Sequence, residues 1–166
     1  MLVPGSSYLN FTSKMTAEIW VKPYDDGIST GTSSVIKPIF HKEGKWNKSF
    51  LYAISTINRY GKRQVACIIE TTDDYIMLNP RDSSVGLIED VVWSHVAMTY
   101  DAAGGADNLK LYLNGQLIAS ETVTGDIVNG DGLFRAGIMG HGKSMNSASG
   151  TLYVRKAKSM RIWDAS

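Results

Sequence analysis

The sequence has few of the features that mark several large protein classes. Among its 166 residues there is one cysteine, Cys67, so an intramolecular disulfide is excluded. No apolar run approaches the length of a membrane-spanning helix, and residues 1–5 lack the charged and apolar regions of a signal peptide. The 17 basic and 16 acidic residues are well mixed and give a net charge of +1. We therefore expect neither a nucleic-acid partner nor membrane insertion.

The single cysteine lies inside the apolar run 65–69 (VACII). A reactive thiol needs an accessible, electropositive setting, and no histidine or second cysteine accompanies Cys67 at a catalytic spacing. The sequence therefore favours a buried hydrophobic side chain over a catalytic thiol.

Short β-like runs recur along the chain, separated by clusters of Gly, Asn, Asp and Ser, whereas helical periodicity is scarce. Runs of this length and spacing are typical of an all-β sandwich or barrel. The predicted strands cover residues 16–22, 35–41, 50–56, 64–70, 75–78, 93–100, 109–113, 116–122, 133–138 and 160–163.

The most specific local pattern is a β-hairpin around Asn114-Gly115. Both residues tolerate the positive φ that a type I′ turn requires, and apolar residues alternate before them. The same alternation places four side chains in the predicted core: Ile19, Val96, Leu111 and Leu113.

A family resemblance rests on four segments that follow one another in the family's order. Residues 93–101 (WSHVAMTYD) with 109–115 (LKLYLNG) resemble the central motif of laminin G-like domains of the jelly-roll type, in the concanavalin A-like superfamily. Residues 15–23 (MTAEIWVKP), 39–42 (IFHK) and 161–163 (RIW) resemble an early strand, the next strand and the closing strand. The resemblance implies a two-sheet antiparallel β-sandwich formed by one domain over residues 1–166. It implies no single activity, because such folds host many functions.

The chain departs from the family pattern at its ends. Little of the usual first strand is present, and the sequence stops just after the last one, which fits a domain excised from a longer protein or a minimal stand-alone version. The acidic residues that often precede the final Arg-Ile-Trp are replaced by Lys158 and Ser159. Since calcium needs oxygen ligands, we expect no cofactor there. Calcium binding through other loops, such as those of Asp101 and Asp107, stays open.

Glycoside hydrolases share this superfamily, so catalysis has to be weighed. Retaining members of the laminarinase kind carry Glu-x-Asp-x-x-Glu on one strand, with the two catalytic carboxyls about 5 Å apart. The chain has no such motif; its acidic pairs, Asp73-Asp74 and Glu89-Asp90, consist of adjacent residues that point to opposite faces of a strand. We therefore predict that the protein is not an enzyme.

The three histidines do not indicate chemistry either. His41, His95 and His141 are scattered without metal-ligand spacing. His95 matches a motif residue of the family, and its expected role is that of a structural histidine on a sheet.

Three polar segments with aromatic residues are candidate binding loops: 43–48, 57–63 and 140–146. Aromatic rings stack on the apolar faces of sugars, while amide, guanidinium and imidazole groups satisfy sugar hydroxyls. The alternative is that Trp46 and Tyr60 merely cover hydrophobic edges. The predicted ligand-binding residues are Trp46, Asn47, Asn58, Arg59, Tyr60, His141 and Asn146.

The sequence as a whole favours a non-catalytic recognition module on an extracellular, phage or virion surface protein, with carbohydrate as the expected ligand. The alternative is a structural domain that makes protein contacts within a larger assembly and binds no sugar. The oligomeric state is not indicated by any pattern in the chain.

Overall fold

The computed structural model describes residues 2–3, 9–23, 35–44, 50–59, 61–136 and 154–164, with the backbone alone at 2, 3, 35, 59 and 154–158. The described residues form eleven β-strands and no α-helix. Within this part of the chain there is accordingly no helix long and apolar enough to cross a membrane. The strands are β1 (Leu2–Val3), β2 (Lys14–Pro23), β3 (Val35–Lys42), β4 (Tyr52–Arg59), β5 (Lys62–Glu70), β6 (Tyr75–Leu78), β7 (Ser94–Asp101), β8 (Leu109–Leu113), β9 (Gln116–Glu121), β10 (Phe134–Ala136) and β11 (Val154–Trp163).

The strands build two antiparallel sheets that pack face to face. One sheet has six strands in the order β1-β10-β3-β4-β5-β6, and the other has five in the order β11-β2-β7-β8-β9. Buried apolar side chains from both sheets fill the space between them. The predicted all-β jelly-roll sandwich is confirmed.

The five-stranded sheet shows the two-residue alternation on which the strand predictions rest. In β7 every second residue from Ser94 to Tyr100 is buried, and the residues between them are half-buried. Ile19, Val96 and Leu111 lie in the core as predicted. Leu113 does not: it is half-buried at the periphery of the core, because β8 ends there and turns back into solvent-exposed Gln116.

The Asn114-Gly115 hairpin is also present. Asn114 has a φ of 50° and Gly115 a φ of 81°, the pair of positive values that the type I′ turn requires. The turn joins β8 to β9, with Leu113 paired to Gln116.

The β4–β5 hairpin extends further than predicted. Its strands reach Arg59 and begin again at Lys62, whereas the sequence pattern placed a loop over residues 57–63. Asn58 and Arg63 pair directly across the two strands, on the same face as core residue Val65. These two polar side chains interrupt the hydrophobic alternation, which is why the pattern ended the strand too early.

The predicted burial of Cys67 is confirmed. Its side chain is fully buried in the core cluster, and desolvation raises the pKa of its thiol to about 12. Its neighbours Ala66 and Ile68 are also buried although they lie outside that cluster, so β5 has both of its faces covered. This explains why β5 is an uninterrupted apolar run rather than an alternating one.

Candidate binding surface

Most of the predicted loop site lies outside the described residues: Trp46, Asn47, Tyr60, His141 and Asn146. Arg59 is described by its backbone alone, as the last residue of β4. Asn58 is 0% exposed and faces the interior of the sandwich. Its amide is therefore part of a buried strand and does not belong to a loop surface, a correction that follows from the longer β4.

The strands also separate two of the predicted segments. The connection that contains Trp46 leads from Lys42 to Tyr52, the start of β4, whereas Tyr60 follows Arg59 at the end of β4. At about 3.3 Å per residue, the two ends of β4 are about 23 Å apart. The described strand ends that flank the two connections therefore lie at opposite ends of β4.

A different group of side chains is gathered on the outer surface of the five-stranded sheet. We call it the tryptophan face and define it by five residues: Glu18, Trp20, His95, Arg161 and Trp163. Trp20 is 42% exposed and Trp163 is 41% exposed, which is unusual for the largest apolar side chain. Both rings are available to a ligand.

Alternation in β2 creates this surface. Ala17, Ile19 and Val21 point into the core, so Glu18 and Trp20 point away from it. The neighbouring strands add residues in register, because β7 pairs His95 with Trp20 and β11 pairs Arg161 with Glu18.

The polar groups of the face form a connected set beside the Trp20 ring. His95 Nε2 lies 3.2 Å from Glu18 Oε2, and Arg161 Nε lies 4.0 Å from Glu18 Oε1. The rings of Trp20 and His95 are 5.1 Å apart between centroids, with their planes at 40°. Contacts of this kind favour one arrangement of the indole and the carboxylate in the free protein.

The Asn114-Gly115 hairpin anchors the strand that carries His95. The His95 backbone N–H donates to Asn114 Oδ1 at 2.8 Å, and the Asn114 N–H donates to the His95 carbonyl at 2.8 Å. The turn with the clearest sequence signature therefore fixes the start of β7 and, through it, one edge of the tryptophan face.

The two tryptophans are well separated. Trp163 pairs with Thr16, which precedes Trp20 by four residues in β2. Standard strand geometry gives about 13 Å along the strand and about 5 Å between strands, hence about 14 Å between the two backbone positions. Glu18 lies midway along this line, so the face presents a ring, a carboxylate and a second ring in sequence.

Metal ligands are sparse in the part of the chain that the structure describes. It contains no group of three or more His, Cys, Asp or Glu side chains that could hold an ion. The two carboxylates singled out from the sequence as possible calcium ligands have protein partners. Asp101 forms an ion pair with Lys14 at 3.2 Å, and Asp107 accepts a hydrogen bond from the Ser120 hydroxyl at 3.1 Å.

Sequence reasoning assigned the residues of the tryptophan face to family motifs and did not recognise a surface. The alternation in β2 was a usable signal, because it places Trp20 opposite the core residue Ile19. The pairing of Trp163 with Thr16 had no such signal, since it depends on how the last strand joins the second.

Comparison with protein families gives a match over nearly the whole chain. A family model for laminin G-like domains, described as concanavalin A-like lectin/glucanases superfamily, matches residues 2–164. A comparison with curated protein sequences found no match.

Solved structures share the fold at low identity. Domains LG4-5 of the mouse laminin α1 chain match with a TM-score of 0.62 and 12% identity, covering 98% of this chain and 38% of that one. Domain 4 of AbnA, an extracellular arabinanase from Geobacillus stearothermophilus, was solved in complex with arabinotriose. It matches with a TM-score of 0.55 and 19% identity, covering 94% of this chain and 63% of that one. The Ruminococcus gnavus IT-sialidase CBM40, bound to α2,3-sialyllactose, matches with a TM-score of 0.50 and 17% identity, covering 92% of this chain and 77% of that one. At these identities the likeness shows the fold alone, and the chain spans less than two thirds of the laminin and arabinanase chains.

Proposed function

The chain belongs to the laminin G-like family of the concanavalin A-like lectin/glucanase superfamily, and we propose that it is a non-catalytic recognition module that binds carbohydrate. We further propose that it acts as part of an extracellular, phage or virion surface protein. The fold itself hosts many functions, so the proposal depends on the surface that this chain presents.

The observation that carries the proposal is the tryptophan face. Two indole rings, each about 40% exposed, share one sheet surface with the Glu18, His95 and Arg161 side chains. Sugars combine apolar C–H faces with a rim of hydroxyls, and this surface offers both matching elements. The rings supply apolar area at low entropic cost, and the polar groups supply acceptors and donors.

The spacing of carboxylates supports binding without hydrolysis. Asp101 also lies on this side of the sheet, but it pairs with Lys14, which is four residues from Glu18. The two carboxylate positions are therefore about 13 Å or more apart along the sheet. Glycosidases need about 5–5.5 Å for retention or about 6.5–9.5 Å for inversion of configuration.

Two of the structural neighbours were solved with a sugar bound, arabinotriose in one and sialyllactose in the other. This supports carbohydrate as the first ligand class to test. The loops around Trp46, Tyr60 and His141 remain a second proposed location, because loops at the rim of a sandwich can bind without disturbing its core.

A glycan array tests the proposal, followed by titration of the best glycan with surface variants. We expect reproducible binding that free sugar competes away. Trp20→Ala and Trp163→Ala should weaken it at least ten-fold, while both variants keep the fold because their rings are partly exposed. Tyr75→Ala, an exposed aromatic on the other sheet, is the matched control and should bind as the wild type does.

Other results would redirect the proposal. Binding that depends on Trp46 or Tyr60 and is insensitive to Trp20 would move the site to the loops. If the folded protein binds no glycan on a broad array, carbohydrate binding is rejected.

One observation favours the alternative, a protein-interaction domain. A groove of about 400 Å³ runs between β6 and β9, each of which is an edge strand of its sheet. Met77 and Leu117 are exposed on these two strands. Unpaired strand edges are common sites of contact with a second protein. This alternative would be supported if the folded protein binds no glycan on the array and a Leu117→Lys variant loses binding to a protein partner of the wild type.

A further inference from the structure

We infer that the tryptophan face takes an extended oligosaccharide of at least three units, which runs along β2 with its outer sugars on Trp20 and Trp163. The inference rests on the proposed carbohydrate binding and names the ligand class and the way it lies. Two features of the face support it: the spacing of the rings and the position of Glu18 between them.

The spacing of the rings sets the length of the ligand. The backbone positions of Trp20 and Trp163 are about 14 Å apart, which is more than one sugar ring spans. A monosaccharide can therefore stack on one indole at a time. A ligand that uses both rings needs a sugar at each end and at least one unit between them.

Glu18 occupies the place of the middle unit. Among the described side chains, its carboxylate is contacted by His95 Nε2 at 3.2 Å and by Arg161 Nε at 4.0 Å, so toward these partners each oxygen keeps capacity for a further hydrogen bond. Hydrogen bonds to an ionised acceptor are stronger than neutral ones, so hydroxyls of the middle sugar are suitable donors to Glu18.

The support beneath the ligand is a continuous hydrogen-bonded sheet. β2 pairs along most of its length with β7 on one side and β11 on the other, so the two rings are held on adjacent paired strands. Trp20 is further held by the His95 ring. Each added sugar therefore meets a surface that is already in place, and affinity should rise with chain length until both rings are covered.

Calorimetric titration with sugar ladders tests the inference. The probes are arabino-, xylo-, cello- and malto-oligosaccharides of one to six units. For the ladder that binds, we expect Kd to fall at least ten-fold from one unit to the length that covers both rings and then to level off.

Variants assign the effect to residues. Trp163→Ala should remove the gain from longer chains and leave binding of the shortest ligand unchanged. Glu18→Gln, which keeps the shape and loses the charge, should weaken binding of the trisaccharide about ten-fold, the effect expected for loss of one charge-assisted hydrogen bond. Tyr75→Ala should change neither.

The outcomes are distinguishable. A Kd that does not depend on the length of the oligosaccharide would overturn this inference and leave the proposed carbohydrate binding intact. Absence of binding to every ladder and to the glycan array would reject both.

Discussion

His41 provides a sharp test of how the six-stranded sheet is packed. Its imidazole is 3% exposed, and its ring lies edge-on to Phe50 with 4.7 Å between centroids. Burial lowers the pKa of His41 from 6.5 to about 4. Glu43 acts against this shift and Arg135 adds to it, and the ion pair between these two side chains limits how far Glu43 can stabilise a charged imidazole.

The sign and size of the effect follow from this shift. Since the pKa in the folded protein is lower than in the unfolded chain, the unfolded chain binds a proton first as the pH falls below about 6.5. The free energy of unfolding therefore decreases from about pH 6.5 to about pH 4 and changes no further through this group at lower pH. A shift from 6.5 to about 4 corresponds to about 3 kcal/mol at most.

Urea unfolding at pH 7.5 and pH 4.5 measures this contribution when wild type and His41→Gln are compared. Carboxylates and the other histidines titrate in both proteins, so they cancel in the comparison. We expect the wild type to lose about 2–3 kcal/mol more than the variant between the two pH values. Equal losses in the two proteins would show that His41 is not held neutral by burial, and the buried position of its ring against Phe50 would be wrong.

Two further predictions concern the core and the loops. Leu111→Ala should lower the free energy of unfolding by about 2–5 kcal/mol because Leu111 is fully buried, whereas Leu113→Ala on the same strand should cost less because it is half-buried. Denaturant titration checks both, and equal costs would contradict the assignment of Leu113 to the periphery. Thermal melts in calcium and in chelator should superpose; a large rise in Tm with calcium would show that Asp101 or Asp107 exchanges its present partner for an ion.

The sequence predicted the strands and turns correctly where buried and exposed side chains alternate strictly. In β7 and in the hairpin at Asn114-Gly115, one face is buried and the turn chemistry is specific, so pattern and structure agree. The prediction failed where inward-facing residues are polar, as at Asn58 and Arg63, because hydrophobic periodicity does not register a buried polar pair.

The candidate site was harder to predict for a related reason. Alternation shows that Trp20 and Ile19 point to opposite faces, but it does not show which face of a sheet remains exposed. That depends on the second sheet, which covers the Ile19 side. The 14 Å arrangement with Trp163 depends in addition on the pairing of β11 with β2, whose register shifts twice along the strand.

The most direct test of the central claim uses the four tryptophans as reporters in one experiment. The indole N–H signals of Trp20, Trp46, Trp93 and Trp163 are followed by two-dimensional NMR while the best-binding oligosaccharide is added. We predict that the Trp20 and Trp163 signals shift together with ligand concentration, while half-buried Trp93 stays in place. Saturable shifts at Trp46 alone, with Trp20 and Trp163 unmoved, would contradict the tryptophan face as the binding surface.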